Sequence, residues 1–199
     1  MIVFILGGAR SGKSSLAEKI AAGQEEKYGR QIIYLATAKA KDKEMENRIK
    51  KHQEQRPDNW QTIEADLNIY QAIKSANIPD ESVVILDCLT LLLTNYMISK
   101  EDYNLEDIKN ELDDFLTFLN KKSCLIIFVS NETGLGIVPG NKLGREFRDE
   151  AGWLNQWIAK KSDKTFFALA GIPIELDKEK FNDDTIKPEN FYSGGNLNE

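Results

Sequence analysis

Histidine is almost missing from this chain: among 199 residues it occurs once, at His52. Cysteine occurs twice, as Cys88 and Cys124, next to or inside apolar strand-like runs. Neither spacing suits a metal site, so a zinc centre and a disulfide framework are both excluded, and two buried thiols in a reducing compartment are expected. No apolar run approaches the roughly 20 residues that cross a bilayer. The N-terminal run 2–6 is too short for a secretory leader, so a cytoplasmic protein is the default. A basic surplus is also absent: 26 Lys and Arg stand against 32 Asp and Glu, a net charge of −6. That argues against a nucleic-acid partner, whose phosphates need neutralising, but leaves room for a local basic pocket. No internal repeat and no linker interrupts the chain. The hydrophobic share of 41% and charged share of 29% are those of a globular protein. The length suits one α/β domain over residues 1–177 with a substantial core, followed by a polar tail, 178–199, expected to be mobile.

Apolar runs and helical spacings alternate along the chain. Strands are expected at 2–6, 31–36, 60–64, 82–87, 125–130, 165–170 and 172–176. Helices are expected at 14–27, 42–55, 67–75, 89–98, 105–120 and 142–161, with Pro57 closing the second of them. This alternation predicts an α/β fold with a mainly parallel sheet and helices on both faces. Gly171 would turn the last two strands into an antiparallel edge hairpin.

What is present in full is a phosphate loop. Residues 7–14 read Gly7-Gly8-Ala9-Arg10-Ser11-Gly12-Lys13-Ser14, directly after a buried strand and before a helix. The glycines allow a tight turn whose N–H groups point at a polyphosphate, and the helix start adds free N–H groups and a positive dipole end. Lys13 reaches the β- and γ-phosphates, and Ser14 can ligate Mg²⁺. The fold is therefore expected to be P-loop NTPase-like. The strand 83–87 ends in Asp87, where a carboxylate holds Mg²⁺ directly or through water beside such a loop.

Other positions leave alternatives open. His52 sits late on a polar helix among Lys50, Lys51, Gln53 and Arg56. It reads either as a solvated helix residue or as a nucleophile whose neutral imidazole attacks a phosphorus while nearby cations stabilise the developing charge. The segment from Asn131 to Pro139 follows a core strand, at the sheet edge where open α/β folds bind ligands. The buried-looking pair Ile137-Val138 between glycines and a proline suggests a shaped loop rather than a plain connector. Arg145 and Arg148 read as phosphate contacts or, more simply, as solvated helix charges. Asn141-Lys142-Leu143-Gly144 has Gly144 where a guanine-reading motif needs Asp, so that reading is discarded.

Taken together, the blocks resemble the bifunctional adenosylcobinamide kinase / adenosylcobinamide-phosphate guanylyltransferase family of cobalamin assembly. Beyond the phosphate loop, the matching pieces are Tyr34-Leu35-Ala36-Thr37, Asp42 to Met45 with Arg48-Ile49, His52, and Arg56-Pro57 with Trp60, Thr62 and Glu64. Asp87-Cys88-Leu89-Thr90, Thr94-Asn95, Ser130 to Pro139 and Phe147 to Gln156 complete the set, collinear over roughly residues 1–175. The resemblance implies that His52 accepts GMP from GTP as a covalent guanylyl-enzyme. It also implies nucleotide contacts from Thr37, Ala38 and Lys39, from Gln53, Glu54, Gln55 and Arg56, and from Glu64 and Asp87. Ala38 and Gln55 offer only backbone groups or replaceable contacts, and some family members carry Glu at the place of Asp87. GTP, ATP and Mg²⁺ are implied as nucleotides and metal, adenosylcobinamide and its phosphate as corrinoid substrates, and a homo-oligomer such as a trimer as the assembly. A single-activity P-loop small-molecule kinase and a GTP-dependent regulatory protein remain the alternatives; neither needs a covalent histidine. The tail after 177 has no counterpart in the resemblance.

Overall fold

The computed structural model describes residues 1–38, 43, 50, 56–100 and 102–177. Strands β1 (Ile2–Gly7), β2 (Ile32–Ala36), β3 (Gln61–Glu64), β4 (Val83–Asp87), β5 (Leu125–Asn131), β6 (Lys164–Leu169) and β7 (Ile172–Leu176) form one sheet. Helices α1 (Lys13–Tyr28), α2 (Ile69–Ser75), α3 (Leu89–Ser99), α4 (Leu105–Lys121) and α5 (Lys142–Lys161) connect them. The strand order is β3-β2-β4-β5-β1-β6-β7, parallel throughout except for the antiparallel β6–β7 pair. This is the α/β sheet with an antiparallel edge that the alternation predicts.

Side chains alternate between the two faces of the strands and divide the core in two. Val3, Ile5, Ile32, Tyr34, Ile85 and Ile127 pack under α1 through Ala17 and Ala21. Phe4, Ile33, Leu35, Leu86, Ile126 and Phe128 pack under the remaining helices. The α4 stripe Ile108, Leu112, Phe115, Leu116 and Leu119 is buried; each such side chain contributes on the order of 1.5–3 kcal/mol. Asn104 starts α4 by accepting from Glu106 N at 2.9 Å. Asn141 starts α5 by accepting from Gly144 N at 2.7 Å, so the discarded guanine-like tetrapeptide is a helix cap.

Several boundaries and one burial expectation change. Residue 60 is not in a strand: β3 begins at Gln61, and the buried Trp60 indole donates to Glu25 at 3.0 Å. The helix expected from 67 begins at Ile69, because Asn68 takes a left-handed conformation, φ 51°. Ile137 and Val138 do not tuck inward: they are 97% and 59% exposed, and Leu135 is 82% exposed. Among the described residues no element packs over this loop, so its apolar residues face outward. Most of the expected helix 42–55 and the whole tail 178–199 lie outside the described residues.

The parallel registers set the functional edge. Gly7 pairs with Asn131, Val129 with Asp87, Asp87 with Ala36, and Ala36 with Glu64. The C-terminal strand ends thus form one row, with the phosphate loop near one end and Glu64 at the other. At about 4.8 Å per strand, that row spans about 19 Å from Gly7 to Glu64.

Candidate functional site

The loop between β1 and α1 is tightly constrained by its neighbours. A Cβ on Gly7 would strike the carbonyl oxygen of Ala168 on β6 and crowd Ser11 Oγ. Gly12 caps α1 with φ 94°, a conformation that costs other residues about 1–2 kcal/mol. Ser11 Oγ is shut off from solvent without a hydrogen-bond partner, which leaves a hydroxyl for an incoming anion. Lys13 is 7% exposed, and its ammonium folds over the loop to the Gly8 carbonyl at 2.5 Å. Gly8, Ala9 and Arg10 form the outer rim, with Ala9 and Arg10 exposed.

The edge hairpin braces this loop. The turn Ala170-Gly171 has φ 51° and 81°, the left-handed pair that closes a two-residue hairpin. Gly171 N donates to Ser11 O at 2.9 Å, and a Cβ on Gly12 would come within 3.1 Å of Gly171 Cα. Nothing in the sequence spacing ties residue 171 to residue 12; the β6–β1 pairing does.

Beside the loop stands Asp87, at the end of β4. Its Oδ2 accepts from Ser14 Oγ at 2.7 Å and from Tyr34 Oη at 2.5 Å. Burial, and then the Asp87 charge, push the Tyr34 phenol well above its ordinary value, so it stays a proton donor. The Arg56 guanidinium lies 3.4 Å over the Tyr34 ring, and its Nε and Nη1 are shut off from solvent without hydrogen-bond partners. Glu18 on α1 faces the same cluster. Burial raises its pKa, the Arg56 charge lowers it and the Asp87 charge raises it. Two hard oxygens meeting at Ser14 and Asp87 are the donor set Mg²⁺ takes together with phosphate oxygens and water.

The remaining sequence-derived positions divide. Thr37 is fully buried. Its Oγ1 donates to Cys88 O and accepts from Cys88 N, both at 2.8 Å, while Asn95 Nδ2 donates to Thr37 O at 2.8 Å. The hydroxyl thus clamps the end of β2 to the turn after Asp87, whose peptide to Cys88 is cis. Ala38 follows, half-buried, and Glu64 is exposed at the end of β3. Lys39, His52, Gln53, Glu54 and Gln55 lie outside the described residues. The Cys88 thiol is pushed up to about 11 by burial and by Asp87, which makes it a poor nucleophile. Both cysteines are free and buried.

The loop after β5 is anchored at its base. Glu132 N donates to Gly7 O at 3.0 Å, and Asn131 Nδ2 donates to Thr90 Oγ1 at 3.2 Å. Asn155 of α5 accepts from Ser130 Oγ at 2.6 Å and donates to Asn131 O at 3.2 Å. Arg145 donates to the carbonyls of Pro139 and Gly140, and Arg148 pairs with Asp149, so both are engaged at the surface. Sequence reasoning gave no site role to Tyr34 or Glu18, and it read Gly171 as a hairpin turn without its contact to the phosphate loop. A signal existed for Tyr34: it is the one hydroxyl-bearing residue in the run 32–36, two residues before the strand end and on the face that carries Asp87.

A glycine-rich loop that closes a buried strand onto a helix, with a hydroxyl–carboxylate pair beside it, defines a P-loop nucleotide-binding protein of the α/β class. The family model described as cobinamide kinase / cobinamide phosphate guanyltransferase matches residues 3–176. The chain belongs to this family. It is 43% identical over 175 residues to the bifunctional adenosylcobalamin biosynthesis protein CobP of Pseudomonas aeruginosa, covering 88% of this chain and 96% of the relative. It is 32% identical over 186 residues to the similarly named CobU of Salmonella typhimurium, covering 88% of this chain and 99% of that one. Among solved structures, a KaiC-like protein from Pyrococcus horikoshii aligns over 83% of this chain and 69% of its own, with 12% identity and a TM-score of 0.47.

Proposed function

We propose that this chain catalyses both reactions of its family: phosphorylation of adenosylcobinamide by ATP or GTP, then transfer of GMP from GTP to the resulting phosphate. The observation that carries this reading is the continuous contact from the phosphate loop to Arg56. Ser14 bonds Asp87, Asp87 bonds Tyr34, and Tyr34 carries the Arg56 guanidinium. Arg56 lies four residues after His52. Four residues of chain span at most about 14 Å, and this short separation supports a role for His52 at this cluster. The strand-end row of about 19 Å suits an extended nucleotide, phosphates at Gly7–Ser14 and the nucleoside toward Thr37 and Glu64.

In the kinase step Lys13 and the loop N–H groups hold the triphosphate and take up charge that develops on its oxygens. Ser14 and Asp87 are the residues that would hold Mg²⁺, which when bound neutralises phosphate charge. In the transferase step an imidazole nitrogen of His52 bonds to the α-phosphorus of GTP as the Pα–O bond breaks, and pyrophosphate leaves. A phosphate oxygen of adenosylcobinamide phosphate then bonds to that phosphorus, the P–N bond breaks, and adenosylcobinamide-GDP forms. The Arg56 nitrogens without partners supply cationic donors for the phosphoryl oxygens.

The exposed Leu135, Ile137 and Val138, with Leu169, Ile172, Ile174 and Leu176 on the edge hairpin, support a homo-oligomer such as a trimer. Two free thiols support a reducing, cytoplasmic setting. The test is product analysis with adenosylcobinamide, GTP and Mg²⁺. Wild type should yield adenosylcobinamide-GDP and pyrophosphate, and His52→Ala should stop at adenosylcobinamide phosphate. Adenosylcobinamide-GDP from His52→Ala, or no corrinoid product from wild type, would overturn the reading.

A further inference from the structure

We propose that the corrin ring sits in the cleft between the start of α4 and the middle of α5, with Trp153, Trp157 and Gln156 as its platform. This rests on the functional reading above and assigns its corrinoid subsite. The cleft has a volume of about 900 Å³ and is lined by Tyr103, Leu105, Glu150, Trp153, Gln156 and Trp157, among others. Trp153 and Trp157 are one helical turn apart and so share a face of α5. Lys161 Nζ lies 4.4 Å from the centre of the Trp157 ring, while Trp153 is 57% exposed. An indole so exposed, at the wall of a cleft, offers a flat apolar surface to a flat ligand.

The lining matches a corrinoid in chemistry as well as shape. A corrin presents broad apolar faces, a rim of amide side chains and a cationic cobalt(III) centre. Beside the indoles, the cleft is lined by the Gln156 amide, by the carboxylates of Asp102, Glu106 and Glu150, and by Lys109 and Lys160, of which Lys109 pairs with Glu106 at 2.6 Å. Tyr103 Oη and Glu150 Oε2 are both shut off from solvent and lie close together without a well-formed hydrogen bond.

Position is the strongest argument. Gln156 follows Asn155, which is bonded to Ser130 and Asn131 at the C-terminal end of β5. Asn131 is paired with Gly7, the first residue of the phosphate loop. One strand spacing plus one bonded contact puts Asn155 about 10 Å from Gly7. The aminopropanol arm of cobinamide, about seven bonds from ring to hydroxyl, extends about 8 Å at backbone-like bond lengths. A ring in this cleft can therefore present its hydroxyl near the loop. A second cleft among the described residues, about 500 Å³ between Tyr28 and Lys164, opens at Met1 and Leu125. Those are the opposite ends of the strands, about 17–20 Å from the loop.

The test uses the full chain with Trp153→Ala, Trp153→Phe and Gln156→Ala, all at exposed positions. Kinase rates are measured with adenosylcobinamide and GTP varied separately, and guanylylation from GTP alone is followed in parallel. Trp153→Ala should raise the corrinoid KM about tenfold, Trp153→Phe should restore most of it, and Gln156→Ala should raise it by a smaller factor. The GTP KM and guanylylation should stay at wild-type values. An unchanged corrinoid KM in both Trp153→Ala and Gln156→Ala overturns the subsite while leaving the two-reaction reading intact. Absence of corrinoid-dependent turnover in wild type overturns that reading and the subsite with it.

Discussion

Replacing Tyr34 with Phe removes one oxygen from the centre of the site and leaves nearly everything else in place. The ring keeps its packing under α1 and still carries the Arg56 guanidinium. What goes is the 2.5 Å bond to Asp87 Oδ2, which leaves that oxygen with Ser14 alone. A buried hydrogen bond to a charged acceptor is worth about 1.5–3 kcal/mol. For a chain of this size, each kcal/mol moves the midpoint by about 2–4 °C, so a loss of about 2 kcal/mol predicts a fall of about 4–8 °C. The carboxylate also loses the contact that fixes its rotamer, so half-saturation by Mg²⁺ in GTP binding should move several-fold higher. At saturating Mg²⁺ the GTP KM should be close to wild type, since the phosphate loop is untouched. Thermal unfolding and a Mg²⁺ titration read the two effects. A Tyr34→Phe midpoint within about 1 °C of wild type, with an unshifted Mg²⁺ titration, would show that the phenol does not hold Asp87.

Further outcomes follow from the same geometry. Lys13→Ala removes the buried ammonium over the loop and should lower both kinase and guanylylation rates by about 10²–10³-fold, the usual cost of losing one charged transition-state donor, in steady-state assays. Gly12→Ala forces a Cβ to 3.1 Å from Gly171 Cα at φ 94°. It should cost about 1–2 kcal/mol by chemical denaturation and weaken nucleotide binding by calorimetry. Glu18→Gln tests the half-buried carboxylate, whose folded pKa is raised above its ordinary value of 4.5, chiefly by burial. Its ionised form therefore opposes folding, a penalty absent below pH 4.5 and growing as pH rises through the folded value. The variant should melt higher than wild type at neutral pH, and the difference should vanish in acid.

Much of this molecule is legible in the sequence because the signals are local. The run Ile2 to Leu6 followed by Gly7 to Ser14 specifies strand, turn and helix within thirteen residues, and the structure supplies the left-handed Gly12 such a loop needs. Asp87 is readable only together with that loop, since a carboxylate ending an apolar strand is common on its own. Roles created by register are not readable. Tyr34 reaches Asp87 because β2 pairs with β4 with Ala36 opposite Asp87, and Gly171 braces Gly12 because β6 lies beside β1. Thr37 offers a hydroxyl that sequence reasoning gives to the nucleotide, while the fold commits it to the Cys88 backbone. Ile137 and Val138 mislead for a related reason: apolar character signals burial only where another element lies over it, and none of the described elements does here.

The central claim is that the chain's one histidine carries GMP between two substrates. Incubating the full-length protein with GTP and Mg²⁺, without corrinoid, and recording its intact mass tests this directly, with peptide mapping to locate any adduct. The account predicts a gain of one GMP, located at His52, lost on mild acid treatment and absent from His52→Ala. A wild-type mass that never changes, or a GMP adduct that persists in His52→Ala, would contradict it.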